Sequence, residues 1–123
     1  MSNIRALHVV ARFLFVLVFF TALFAGMKSK PVPQVVPHFD LMLHCGVFAV
    51  LAGLWVFSVS ARWWLLGLLG LLLFGAGLEL WQGWVMPART ASLIDMGANA
   101  TGVFVGGILA MVLARFLRQK ICV

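Results

Sequence analysis

Three pairs of polar residues interrupt an otherwise apolar chain, and their types and spacing limit what chemistry they can do. Asp40 and His44 are four residues apart, Glu79 and Gln82 three apart, and Asp95 and Asn99 four apart. On a helix, each pair points in one direction. A charge buried in hydrocarbon costs about 2.5–3.5 kcal/mol on insertion scales, so ionisable residues in such segments are functional candidates by default. His44, Glu79 and Asp95 are the candidate catalytic residues, because an imidazole among carboxylates can pass protons or hold a metal through mixed nitrogen and oxygen donors. Arg89, Gln82, Asn99 and Asp40 are the candidate binding residues, with Arg89 offering a fork of donors that suits phosphate or carboxylate. No Ser or Cys is paired with a base, which argues against a covalent nucleophile. These patterns assign no dedicated metal ligand and specify no cofactor.

Each of these residues also has a structural reading that stays open at this level. Ser92-x-x-Asp95 before an apolar run fits a capping box, so Asp95 can serve only to start a helix. Asp40 near a helix start suits the dipole. Gln82 and Asn99 can bridge helices by hydrogen bonds. Glu79 is the hardest to explain structurally: a carboxylate at a helix C-terminus opposes the dipole and needs a partner, for which His44 and Arg89 are the candidates. His38, beside Pro37, reads as a solvated loop residue.

The elements that position these groups follow from composition. Of 123 residues, 64% are hydrophobic and 10% charged, and the mean hydropathy is +1.13. Nine basic and three acidic residues cannot coat a soluble domain of this size. A membrane span takes about 20 apolar residues, so the chain accommodates four spans as a single domain over 1–123 and has no room for a separate soluble one. The spans read as Ala6 to Met27, Phe39 to Ser58, Trp63 to Gln82 and Leu93 to Ala114, followed by a basic tail. The proline-rich segment Lys28 to Pro37 and the segment Gly83 to Ala91 read as polar loops. Leu23-Phe24-Ala25 is a poor small-x-small cleavage site, so the first run is expected to be an uncleaved helix. Its His8 and Arg12 read as residues that snorkel to headgroups. Gly102-x-x-x-Gly106 is a close-approach pattern, expected to pack on the second or third span of the same chain.

The net charge of +6 does not point to nucleic acid, because the basic residues are scattered singly between apolar runs. They read as topology signals instead. Arg5, Arg12, Arg62, Arg115, Arg118 and Lys120 fall on one side, and Lys28, Lys30 and Arg89 on the other. That bias predicts both termini in the cytoplasm. Asp40, His44, Glu79, Gln82, Asp95 and Asn99 then lie within about 10 Å of the outer boundary, at 1.5 Å per residue. The prediction is a polar pocket, roofed by loops and open to the outside. Transport is disfavoured, because the inner halves of the spans lack polar residues apart from His8 and Arg12. Cys45 and Cys122 have no partner spacing for a metal or a redox pair.

Four stretches taken together resemble the VanZ-like family of small membrane proteins: Asp40-Leu-Met-Leu-His44, Glu79-Leu-Trp-Gln82, Pro87-Ala-Arg89, and Asp95-Met-Gly-Ala-Asn99-Ala-Thr-Gly102. Their order and spacing carry the resemblance, which covers about residues 38–110. The chain departs from the family pattern at Leu41, where the family has lysine, and it contains no tyrosine. The resemblance implies a multi-pass protein of a bacterial cell membrane. It also implies a link to cell-envelope antibiotic resistance, since the family is named for a protein associated with low-level resistance to a lipid-tailed glycopeptide. Binding or modulation of an amphiphile, such as an envelope lipid or a lipoglycopeptide, is the leading expectation. The alternative is an enzyme that uses His44, Glu79 and Asp95 on a lipid-linked substrate. Membrane lipids are the expected partners, and self-association stays open.

Overall fold

The computed structural model describes residues 2–27, 36–86 and 91–121. They form four α-helices: α1 (Ser2–Gly26), α2 (Phe39–Ser58), α3 (Trp64–Val85) and α4 (Leu93–Ile121), with a 3₁₀ turn at Ala61–Trp63 leading into α3. All four are long and apolar enough to cross a membrane. The protein is an all-α, four-helix membrane bundle.

The element order matches the sequence pattern, and the differences are at the ends. The first helix begins at Ser2 and takes in the basic opening. The third runs on past Gln82 to Val85, so the expected loop residues Gly83 and Trp84 are helical. The fourth continues through the basic tail to Ile121. Its 29 residues span about 43 Å against a hydrocarbon core of about 30 Å. Helix continues there because hydrogen bonding within the backbone needs no apolar side chain. Arg118 settles 5.4 Å from the Trp64 ring. Residues 28–35 and 87–90 of the two polar loops, including Lys28, Lys30, Pro87 and Arg89, lie outside the described residues, as does Cys122.

Lipid tails are as apolar as leucine, so helix association here depends on close packing and polar contacts rather than on escape from water. The most extensive packing is between α2 and α4, which are not neighbours in sequence. They run side by side in the same direction, with Gly102 against Cys45 and Ala49, and Gly106 against Ala49. A side chain at either glycine would run into the α2 backbone, so the small-residue pattern serves the second span of the same chain. A buried cluster of Phe48, Leu51, Ala52, Leu71 and Val103 fills the centre. Phe15 and Phe19 of α1 reach it through Phe74, with Phe19 and Phe74 centred 4.6 Å apart. A second cluster, of Val56, Trp64, Ala110 and Ala114, closes the opposite end. There the Trp64 indole donates to the Val56 carbonyl at 2.9 Å, which satisfies its polar edge where it is buried.

Candidate functional site

The first two turns of α2, the last turns of α3 and the start of α4 come together at one end of the bundle. Asp40 and His44 come from α2, Glu79 and Gln82 from α3, and Asp95 and Asn99 from α4. Ser92 begins the construction. Its carbonyl accepts the first helical bond of α4, from Met96, and its hydroxyl accepts from the Asp95 backbone N–H at 3.2 Å. This is half of a capping box. The other half is not made by the Asp95 side chain. The Ser92 N–H donates instead to Glu79 Oε2, at 3.4 Å, across from α3. Because Glu79 completes the box from another helix, the Asp95 carboxylate is released to face α2.

His44 is the centre of the cluster. Its Nδ1 lies 2.9 Å from Asn99 Oδ1, and a carbonyl oxygen only accepts, so this contact places the proton on Nδ1. Its Nε2 lies 3.8 Å from Asp40 Oδ1 and 3.8 Å from Glu79 Oε1. One donor atom each from Asp40, His44 and Asp95 lies within 4.8 Å of the other two. The chain has three acidic residues in all, and every one of them converges on this imidazole. Among the described residues, none of the three pairs with a lysine or arginine.

Glu79 is 1% exposed, and its Oε1 has no hydrogen-bond partner. Asn99 is similarly buried, and its Nδ2 is also unpartnered. Buried polar atoms without partners are rare in folded proteins, and these two flank the same ring. Gln82 differs from the others. Its Nε2 donates at 2.7 Å to the carbonyl of Gly26, the last residue of α1, so it caps one helix from another. Arg89, the cationic member of the expected binding set, lies outside the described residues. His38 is exposed and starts α2 in a left-handed conformation, φ 58°, which histidine tolerates better than most residues.

Beside the cluster, a cavity of about 170 Å³ opens between α1, α2 and α3. Asp40, His44 and Gln82 stand on its wall, and the rest is apolar, including Ala22, Leu43, Phe48 and Leu78. The contribution of α1 was not expected. The signal was present, however, in Ala22, Ala25 and Gly26, small residues three or four apart on a face that must admit something.

The opposite end of the bundle also carries polar residues. Arg12 Nε donates at 2.8 Å to the carbonyl of Ser58, the last residue of α2. That carbonyl has no partner within its own helix, so the exposed Arg12 caps a neighbouring helix. His8, Arg5 and Arg62 surround the same groove.

Comparison with family models, with curated proteins and with solved structures finds no match to this chain.

Proposed function

We propose that this protein is a VanZ-like membrane protein that binds an amphiphile of the cell envelope, with both termini cytoplasmic and the polar cluster facing outward. The observation that carries the reading is the junction of two environments: the apolar cavity between α1, α2 and α3 opens directly onto Asp40, His44 and Gln82. At about 170 Å³, the cavity is close to the roughly 150 Å³ pocket that takes a benzene ring. It therefore suits a short stretch of acyl chain or one ring, with the headgroup held outside at the cluster. Further support comes from the motif elements behind the family resemblance, three of which meet around His44.

Native mass spectrometry of the purified full-length chain tests this. Wild type is expected to retain a lipid or lipoglycopeptide, and Ala22→Trp, whose indole fills the cavity, to lose at least about tenfold in occupancy, or 1.4 kcal/mol. Equal lipid content in wild type, Ala22→Trp and His44→Ala would sink the proposal. The enzymatic alternative draws on the buried Glu79 Oε1 facing His44 Nε2 at 3.8 Å, an arrangement able to shuttle a proton. The same spectra separate the two readings, since catalysis returns an added lipid-linked compound with a changed mass.

A further inference from the structure

We propose that Asp40, His44 and Asp95 form a binding site for one divalent transition-metal ion, with Glu79 facing the position left open on the metal. The inference rests on the reading of this cluster as the headgroup side of a ligand site, and it deepens that reading by naming the ion that makes the site work.

Three carboxylates share one imidazole, and among the described residues no lysine or arginine is paired with them. Like charges at this spacing in a medium of low dielectric repel strongly. With its Nδ1 proton donated to Asn99 Oδ1, a metal-bound ring would turn its Nε2 lone pair toward Asp40 and Glu79. A lone pair facing carboxylate oxygens is an arrangement that a cation between them stabilises.

Metal-bound histidines usually donate their other ring N–H to a carbonyl or carboxylate, which fixes the tautomer and aims the free nitrogen. Asn99 Oδ1 takes that role here, at 2.9 Å. Donors bound tetrahedrally at about 2.0–2.2 Å from a metal stand about 3.3–3.6 Å apart. The three donor atoms already lie within 4.8 Å of one another, so they need to close by no more than about 1.5 Å. Glu79 supplies the independent observation: it is 1% exposed, and its unpartnered Oε1 is directed at His44 Nε2. A water on the metal would provide the donor that this oxygen lacks.

Phosphate and carboxylate headgroups are anions, and Asp40 on the cavity wall, with Glu79 and Asp95 behind it in the cluster, repels them. A bound divalent ion reverses the sign of that field and offers an open coordination position to an anionic oxygen. One nitrogen and two carboxylates are a donor set for zinc or manganese, and zinc binds the tighter of the two in a given site.

The test uses the full-length protein in detergent, stripped with a chelator and titrated with zinc alone, then manganese alone, by calorimetry and elemental analysis. A His8→Ala, His38→Ala, Cys45→Ala, Cys122→Ala background removes the other imidazoles and thiols of the chain. One equivalent of zinc is expected in that background, none in His44→Ala made within it, and an affinity about 10–100-fold lower in Asn99→Ala, whose partner only orients the ring. Cobalt in place of zinc reads the ligand geometry through its visible absorption, which nonspecific uptake does not reproduce. Less than one equivalent in the background protein overturns the inference, whatever the variants do. So does undiminished binding in His44→Ala. No lipid enters these titrations, so metal binding without lipid retention refutes only the proposed function, and lipid retention without metal refutes only this inference.

Discussion

Replacing Gly106 with alanine tests how the α2–α4 contact controls the site. A methyl carbon at Gly106 would lie 2.6 Å from the Ala49 Cα and 2.7 Å from its carbonyl carbon. Carbon pairs rest at about 3.5–4.0 Å, and backbone atoms cannot rotate aside as a side chain can. The two helices must therefore part by about 1 Å. Overpacking of this kind costs about 1–3 kcal/mol. The same movement stretches the 2.9 Å contact between His44 and Asn99 to about 3.9 Å if it is transmitted along α4, which is beyond hydrogen-bond length. Gly102→Ala meets Ala49 N and the Cys45 carbonyl carbon, both at 3.0 Å, and pushes the same pair of helices apart. The double variant is therefore expected to cost less than the sum of the two, with a coupling of about 0.5–3 kcal/mol. Gly53 is the control, because a methyl there finds its nearest neighbours at 3.9 and 4.0 Å. Gly53→Ala is expected to be neutral, or more stable by up to about 0.5–1 kcal/mol from helix propensity. Unfolding by sodium dodecyl sulfate titration in mixed micelles, followed by tryptophan fluorescence, gives these free energies. Wild-type stability in Gly106→Ala, or equal damage from Gly53→Ala, would refute the reasoning.

Two further outcomes concern single interhelical hydrogen bonds. Gln82→Leu keeps the bulk of the side chain but leaves the Gly26 carbonyl without its 2.7 Å donor. The expected loss is about 1–3 kcal/mol, with faster amide exchange confined to the last turns of α1. Unchanged exchange there would show that α1 does not depend on this cap. Arg12→Ala removes the donor to the Ser58 carbonyl and is expected to cost about 1 kcal/mol, at the lower end for a charged donor because the guanidinium is exposed. Lysine has no Nε positioned like that of arginine, so Arg12→Lys is expected to restore little. Full recovery in that variant would mean that charge at the membrane edge, rather than the cap, is what matters.

Much of the architecture was legible because its cause is local. The twenty-residue run from Phe39 to Ser58, apolar apart from Asp40, His44 and Ser58, is long enough for one span whatever surrounds it, and α2 has those bounds. The helix ends were less legible. The basic tail of α4 and residues 83–85 of α3 are helical although their composition suggested tail and loop. Polarity marks where a helix leaves hydrocarbon, and says less about where its hydrogen bonds stop. Spacing placed Asp40, His44, Glu79 and Asp95 at one depth, since rise per residue converts sequence into distance along the axis. It left open the angle at which each helix presents its face.

The sequence by itself determined four spans, a face shared by each polar pair, and a common level for all three pairs, because period and rise are properties of any α-helix. Tertiary structure decided the partners. It brought α4 rather than α3 along the length of α2, where Gly102 and Gly106 let the two backbones approach closely. It gave the Ser92 N–H to Glu79, and thereby freed Asp95 for the histidine. It set Asn99 behind the His44 ring and turned Gln82 away toward the end of α1. None of these choices follows from spacing along one helix, because each depends on how far one helix stands from the next and on which side chain reaches across.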